Sequence, residues 1–257
     1  MYTYDPDLEF LGRLKSEDLE DLVHLLIYDK DGTKRISEEL SQRQSYKDNC
    51  PNHHEYWQDI AGELQCFGAN TLATILRGGR GVLYREILCD VCDSIKLEYS
   101  KDAATEEIEE TMFMKLIGDR VGQMSAEEKE ELRRQLNLKD TSAITPGILI
   151  ALQGIFRAGG AASYQLALLA ANQLWKTLFG TGLSLAANTG ITRSLSVLAG
   201  PIGWVITGVW AAIDIASPAT RVTKPAVLLI ALLRRKPRDD DGGSELPSPK
   251  RPLVPVP

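Results

Sequence analysis

Apolar residues recur three or four positions apart through the first part of this chain, and no other feature limits its fold as strongly. Such spacing places them on one face of a helix. The clearest stripe is formed by Trp57, Ile60, Ala61, Leu64 and Phe67. Strands would require sustained alternation of apolar and polar residues, which the sequence does not contain. We therefore predict an all-α protein whose first domain, residues 1–140, is an acidic N-terminal helical bundle.

The composition changes after Asp140, and residues 145–236 are rich in Ala, Gly, Leu, Ile, Val and Ser. Residues 158–175 carry no charge over 18 positions, and residues 194–213 carry none over 20. These lengths predict a second domain that is an apolar, Gly/Ala-rich helical hairpin or bundle. The last 21 residues, 237–257, contain six prolines and are expected to form a disordered tail.

Charge is divided unequally between the two regions. Residues 1–144 hold 30 acidic and 18 basic side chains, a net charge of −12, whereas residues 145–257 hold 5 acidic and 11 basic, a net charge of +6. Opposite signs indicate either two regions with different tasks or two regions that attract each other. The first region is too acidic for nucleic acid, and the second lacks a basic helical stripe with interleaved aromatic residues, so nucleic acid is not an expected partner.

Two patterns raise the question of bound groups. The glycine-rich turn at 77–81 lacks the Lys-Ser/Thr ending of a P-loop, and a turn between helices explains it more simply. Residue types that bind zinc occur at Cys50, His53, His54, Cys66, Cys89 and Cys92. Cys92, however, continues the apolar stripe of Leu88, as a core cysteine would. No Gly-x-Ser-x-Gly elbow is present. We predict no metal, no cofactor and no enzymatic activity.

The uncharged segment 194–213 is long enough to cross a bilayer. Small residues every four positions would let helices pack closely there. The candidate packing positions are Ala199, Gly200, Gly203, Trp204, Thr207, Gly208, Trp210 and Ala211. A tightly packed soluble hairpin explains the same spacing equally well. An anionic membrane surface could bind the cations that follow at Arg234, Arg235, Lys236 and Arg238.

Glu63 lies beside the apolar stripe of residues 57–67, so its carboxylate is expected at the margin of the core. Three arginines follow on the next elements of the chain. We predict that Glu63 forms a structural ion pair with one of them, Arg77, Arg80 or Arg85. A buried pair of this kind would fix how the neighbouring helices dock.

Three motifs occur together in the order of the chain. The first contains Trp57, Ile60, Ala61, Gly62, Glu63, Leu64, Gln65, Phe67 and Gly68. The second contains Tyr84, Arg85, Ile87, Leu88, Asp90 and Val91, and the third contains Arg221, Val222, Thr223, Pro225, Ala226, Val227 and Leu228. Together they resemble the YaaW family of bacterial proteins, some of whose members carry the label ubiquinol–cytochrome c chaperone family. The resemblance implies a bacterial source and a helical fold, and leaves the activity open.

From these observations we expect a non-enzymatic protein that associates with membranes, or inserts into them conditionally, through its C-terminal apolar helices. Such a protein could form pores or perturb a bilayer. The alternative is a soluble chaperone or assembly factor that uses the apolar region to bind a membrane protein complex. A homo-oligomer is compatible with both. The acidic start of the chain does not resemble a secretory signal, so we expect a cytoplasmic protein with peripheral or conditional association with the inner membrane.

Overall fold

The computed structural model describes residues 2–36, 38–69, 81–138, 144–187, 198 and 218–237. These residues form ten α-helices joined by turns and no strand, so the all-α prediction is confirmed. The helices are α1 (Ser16–Ile27), α2 (Gln44–Asn49), α3 (Trp57–Ala69), α4 (Tyr84–Ser94), α5 (Thr105–Gln123), α6 (Ala126–Gln135), α7 (Ile144–Ala158), α8 (Gly160–Phe179), α9 (Ser184–Ala187) and α10 (Pro218–Arg234).

Local chemistry sets several helix boundaries. The Ser125 hydroxyl accepts the Glu128 N–H at 3.2 Å, and the Glu128 carboxylate accepts the Ser125 N–H at 2.8 Å, which is a capping box at the start of α6. Helix α8 ends at Gly180, whose φ of 74° is readily adopted by glycine. Asp21 of α1 accepts the Ser184 N–H at 3.0 Å and thereby holds the start of α9.

The core is built around α8 and α10. Most of the α8 side chains from Ser163 to Trp175 are buried, and so is the run from Val222 to Leu233 in α10. A helix that is apolar on all sides is suited to the interior of a protein. The two helices contact each other, and α10 also contacts α1, α3 and α4. The uncharged segment predicted at 158–175 is therefore mostly covered by protein.

The last described helix thus packs against helices of the first 140 residues, within one continuous cluster of buried side chains. The division of the chain at residues 140–145 remains a prediction about the sequence. Most of the proposed tail and the predicted packing segment 199–211 lie outside the described residues. None of the described helices is by itself both long and apolar enough to cross a bilayer. Helices α7 and α8 reach that length and composition only as a pair, bent by 119° at their junction.

Candidate functional site

A buried ion pair joins the end of α10 to α5 and to the N-terminal segment. The Nε atom of Arg234 lies 3.2 and 3.1 Å from the two carboxylate oxygens of Glu109. Arg234 also donates from Nη2 to the carbonyl of Asp7 at 2.7 Å. The side chain of Glu109 is 1% exposed and that of Arg234 is 15% exposed. Segments that are far apart in the sequence are therefore held together by one guanidinium group.

Tyr84 and Asp5 extend this polar network. The Tyr84 hydroxyl donates to Glu109 Oε1 at 2.7 Å, and the Tyr84 N–H donates to Asp5 Oδ2 at 2.6 Å. The Thr105 hydroxyl donates to Asp7 Oδ2 at 2.9 Å. Because buried polar groups are costly without partners, these bonds specify how the N-terminal segment, α4, α5 and α10 fit together.

The electrostatics of the network depend on Arg234. Burial raises the pKa of Glu109, whereas the positive charge of Arg234 and the hydrogen bonds from Tyr84 and Arg234 lower it. The guanidinium carbon also lies 4.6 Å from the centroid of the Phe10 ring, a distance typical of a cation–π contact. The arrangement is suited to holding helices in register, which is a structural role.

The two cations after Arg234 are also bound by the protein. Arg235 Nη1 donates to the Phe156 carbonyl at 3.3 Å and to Ser163 Oγ at 3.1 Å. Its guanidinium carbon lies 4.0 Å from the centroid of the Phe156 ring. The Lys236 ammonium group bonds to the carboxylate of Asp18 in α1. These contacts connect the end of α10 to α1, α7 and α8.

The structure places Arg234, Arg235 and Lys236 against other parts of the protein, and a membrane-facing role for them stays a prediction. Carboxylates and carbonyl groups of other helices lie opposite these cations and take up their donors. The attraction between oppositely charged regions, which the sequence left open as an alternative, operates at this end of α10. Arg238 lies outside the described residues.

Glu63 is buried, with a side chain 2% exposed. Its Oε1 accepts the N–H of Glu39 at 2.8 Å, and its Oε2 lies 3.9 Å from Nη2 of Arg43. The partner found among the described residues is thus an arginine that precedes α3, whereas the prediction considered only arginines that follow it. Pairing with Arg77 or Arg80 stays a prediction, because both lie outside the described residues.

Arg85 has a different task from the one predicted. Its Nη2 donates to the carbonyls of Lys101 and Ala103 at 2.8 and 2.6 Å, and its Nη1 donates to the Thr105 hydroxyl at 3.3 Å. Arg85 therefore fixes the loop between α4 and α5, and of the three candidate partners of Glu63 it is the one whose described hydrogen bonds go elsewhere. Spacing along the sequence could not reveal that the carbonyls of this loop converge on α4.

The stability contributed by Glu63 should depend on pH. Burial, the largest influence, raises the pKa of Glu63. A raised pKa in the folded state gives a contribution that is complete below the unfolded value, about 4.3, and is lost as the pH rises through the folded value. Glu63→Gln keeps an acceptor for the Glu39 N–H without a charge. Its melting temperature relative to that of the wild type should therefore increase from about pH 4 to about pH 7.

Thermal melts of both proteins across this pH range test the expectation. Glu98→Gln alters an exposed carboxylate and serves as the control. The melting temperature of this control relative to the wild type should change little with pH. The prediction would be contradicted if the melting temperature of Glu63→Gln relative to the wild type stayed constant or decreased with pH. In that case, ionisation of the buried carboxylate would not lower the stability of the protein.

The four cysteines are distributed over separate environments. Cys92 is buried, and burial raises the pKa of its thiol to about 12. Cys89 lies on a shallow cavity of about 460 Å³ lined by charged side chains of both signs. Cys66 is half-buried and Cys50 is exposed. Within the described ranges, no three His, Cys, Asp or Glu side chains converge as potential metal ligands. The absence of a bound metal stays a prediction, and the turn at 77–81 lies outside the described residues.

The outer face of α7 is the candidate partner surface. Helix α7 packs inward through Ile148, Leu152 and Phe156, whereas Ile150 points outward and is 70% exposed. The sequence contains no charged residue from Ile144 to Phe156. A surface helix ordinarily carries charged side chains on its outer side. The exposed side chain of Ile150 on this uncharged face is the reason for considering the face as a partner surface.

Comparison with known proteins places this helical chain in a family. Residues 52–228 match the family model described as ubiquinol-cytochrome C chaperone, and residues 2–36 match a domain of unknown function, DUF3944. A UPF0174 protein of Helicobacter pylori strain J99 is 48% identical over 236 residues, which cover 91% of this chain and 93% of the relative. The chain belongs to the UPF0174 family.

Other members of the UPF0174 family align over similar lengths. The UPF0174 protein YaaW of Escherichia coli K12 is 32% identical over 240 residues, 91% of this chain and 95% of YaaW. A UPF0174 protein of Helicobacter pylori strain 26695 is 40% identical over 206 residues, 78% of this chain and 98% of the relative. The predicted resemblance to the YaaW family is confirmed. No solved structure matches the chain. These comparisons give no support to membrane insertion or pore formation.

Proposed function

We propose that this protein is a non-enzymatic, chaperone-like assembly factor that binds a subunit of a membrane protein complex. The observation that carries the proposal is the match of residues 52–228 to the ubiquinol-cytochrome C chaperone family model. A chaperone of this kind requires a stable body and an apolar surface for its client. The packed helices around α8 and α10 supply the body, and the outer face of α7 supplies the surface.

The composition of α7 favours an apolar segment of the client as its ligand. Covering one exposed isoleucine contributes about 1.5–3 kcal/mol when its whole side chain leaves water. Most of this binding free energy is available at Ile150, because 70% of its surface is exposed in the protein alone. The stretch between Ile144 and Phe156 contains no charged residue. An apolar membrane segment that binds there therefore does not bury an unpaired charge of α7. An apolar helix of a membrane subunit, before its insertion or assembly, fits this surface.

The contacts of α8 and α10 favour this function over conditional membrane insertion. Insertion through α8 would expose the side chains that it buries against α7 and α10. Binding to anionic lipids through Arg234 and Lys236 would require these side chains to leave Glu109 and Asp18. A client surface on the outer side of α7 requires neither change.

A photo-crosslinking amino acid at position 150 tests the proposal in bacteria that express the protein. We expect crosslinks to integral membrane proteins that belong to one complex. The same probe at Lys47, which is exposed on α2, is the matched control and should not capture them. In a strain that lacks the protein, Ile150→Glu should fail to restore the assembled form of that complex on native gels, whereas Lys47→Glu should restore it.

Two results would contradict this function. Crosslinks from position 150 to a second copy of the chain alone would make the outer face of α7 a self-association surface. Full recovery of the complex with Ile150→Glu would show that this face is not needed for assembly. Flotation of the wild-type protein with anionic vesicles, reversed by salt, would instead favour the membrane-binding alternative.

A further inference from the structure

Two consecutive glycines, Gly159 and Gly160, join α7 to α8, and the axes of the two helices are bent by 119° at this junction. Both glycines have a positive φ, 72° and 67° respectively. Gly159 combines this φ with a ψ of −159°, a backbone conformation that is essentially restricted to glycine. A Cβ atom at either position would meet no described atom within 4 Å. The direction of α7 is therefore set by the torsions of two glycines, without close packing around them.

Helix α7 is anchored to the rest of the protein by few side chains. Ile148, Leu152 and Phe156 are buried, one on each successive turn, and the residues between them are half-buried or exposed. Helix α8, by contrast, buries most of its side chains between residues 163 and 175. Segments with few buried apolar contacts open at a lower free energy than the core of the same protein. Of these two helices, α7 is thus the one that can separate while the other stays in place.

The polar contacts of α7 are concentrated at its junction with α8. The carbonyl of Phe156 accepts hydrogen bonds from Ser163 Oγ at 3.0 Å and from Arg235 Nη1 at 3.3 Å. Arg157 Nε lies 2.9 Å from Oε1 of Glu110 in α5, and the side chain of Arg157 is 66% exposed. These contacts place the pivot of α7 next to the two glycines.

The rest of α7 is held by apolar contacts. Among the described residues, no side chain between Ile144 and Ile155 forms a hydrogen bond or an ion pair with another helix. This stretch also contains no charged residue on any side, and Pro146, Ile150 and Gly154 are exposed on its outer face. A helix without a charged face is suited to being covered by apolar groups on all sides. The inner and the outer face of α7 can therefore both contact an apolar partner.

We propose that α7 swings away from α8 and α5 about Gly159 and Gly160, and that an apolar helix of the client binds in the space that opens. The client then contacts Ile148, Leu152 and Phe156, together with the side chains of α8 that these three residues cover in the closed form. This inference rests on the proposed client-binding function and extends its site from the outer to the inner face of α7. Hinges in proteins commonly consist of a few residues at the end of an element, as here.

The chemistry of the two faces favours an apolar helix as the occupant of this space. In the closed form the inner face is covered by the protein itself, so the apolar side chains stay out of water. A client helix that binds the open form better than the closed form shifts the equilibrium toward opening. It also replaces the apolar contacts that α7 gives up. Because residues 144–156 carry no charge, neither position of α7 leaves an unpaired charge of this stretch beneath the client.

Hydrogen exchange measured by mass spectrometry tests the hinge in the full chain without any substitution. Relative to their intrinsic rates, the amides of residues 144–158 should exchange at least about tenfold faster than those of residues 163–175, because α7 opens while α8 stays folded. Equal protection of the two helices would overturn the proposal, whatever the protein binds.

A crosslink between α5 and α7 tests whether the client needs the opening. A Cβ atom at Gly118 of α5 would lie 3.9 Å from Cδ2 of Leu149 in α7. Gly118→Cys combined with Leu149→Cys can therefore be joined by a short, cleavable thiol crosslinker, in a chain whose exposed and half-buried native cysteines are replaced with serine. The probe is a fluorescent Leu/Ala peptide of about 20 residues with a lysine at each end, which is the length of a membrane helix.

The crosslinked protein should bind this peptide at least about tenfold more weakly than the same variant before crosslinking, because the open form is no longer accessible. Cleavage of the crosslinker should restore binding, which excludes damage by the substitutions. Equal affinity with and without the crosslink would overturn the proposal and leave the outer face of α7 as the whole client site. If the peptide binds neither form, the client-binding function itself is contradicted, and the entry of a client beneath α7 is rejected with it.

Discussion

Replacing Arg234 with methionine is expected to lower the free energy of unfolding by about 3–5 kcal/mol, the usual cost of leaving one partner of a buried ion pair without the other. Glu109 would keep its buried position and its hydrogen bond from Tyr84, but it would lose its ion pair with the guanidinium group. The Asp7 carbonyl would also lose its donor. Denaturant unfolding, followed by circular dichroism, measures the change.

The exposed pair of Arg134 and Glu131 provides the matched control. Its atoms are 2.7 Å apart, but the two side chains are 62% and 41% exposed. Arg134→Met should therefore cost less than about 1 kcal/mol. The double variant Arg234→Met with Glu109→Leu should recover a large part of the loss, because it removes the unpaired charge as well. Equal effects of Arg234→Met and Arg134→Met would refute a stabilising role for the buried network.

The pH dependence of the stability of Arg234→Met tests whether the charge of Glu109 causes its loss of stability. Without Arg234, burial would raise the pKa of Glu109 further than in the wild type. A carboxyl group with a raised folded pKa contributes full stability below its unfolded value, about 4.3, and loses that contribution as the pH rises through the folded value. The deficit of Arg234→Met should therefore be largest at neutral pH and become smaller toward pH 4. A deficit independent of pH would indicate lost packing against Phe10 instead.

The stripe of α3 shows what the sequence could establish. Ile60, Ala61, Leu64 and Phe67 were predicted on one helical face, and all four are buried. This prediction succeeds because helical spacing is a local property, and the core imposes the same periodicity on each helix. Trp57, from the same stripe, is only partly buried and packs at the edge of the core.

The partners of the charged residues could not be obtained in this way. Arg234 lies 125 positions from Glu109, and Lys236 lies 218 positions from Asp18. The sequence gives the signs of these charges, but only the packing of α10 against α1 and α5 decides whether a cation faces solvent or a carboxylate. The sequence analysis interpreted Arg234, Arg235 and Lys236 as a membrane-binding surface for this reason, although in the structure they make contacts within the protein.

The buried contacts of His53 were missed for a related reason. Cys50 and His53 were considered only as zinc ligands, since cysteine and histidine at short spacing suggest a metal. The three-residue interval between His53 and Tyr56 is visible in the sequence, but Glu20 lies 33 positions away and meets His53 only in the folded protein.

Gly12→Ala is expected to lower the free energy of unfolding by about 1–3 kcal/mol, the usual cost of overpacking a core position. Gly12 belongs to the 3-10 turn Glu9–Arg13, which packs against the start of α3. A methyl group there would lie 2.7 Å from Cε2 and 2.8 Å from Nε1 of the Trp57 indole. The indole is rigid and contacts Tyr2 on another side, with the ring centroids 5.6 Å apart, so it cannot yield as a flexible side chain would.

Gly122→Ala is the control, and it is expected to raise the free energy of unfolding instead of lowering it. Gly122 lies in the last turn of α5 and is exposed, and a methyl group there meets nothing within 4 Å. Alanine should raise the stability by about 0.5–1 kcal/mol, because it reduces the conformational freedom of the unfolded chain and favours the helix. Parallel urea unfolding of both variants gives the comparison. If Gly12→Ala is as stable as Gly122→Ala, then the indole moves to accommodate the methyl group, and the contact between this turn and α3 is less tightly packed than these distances indicate.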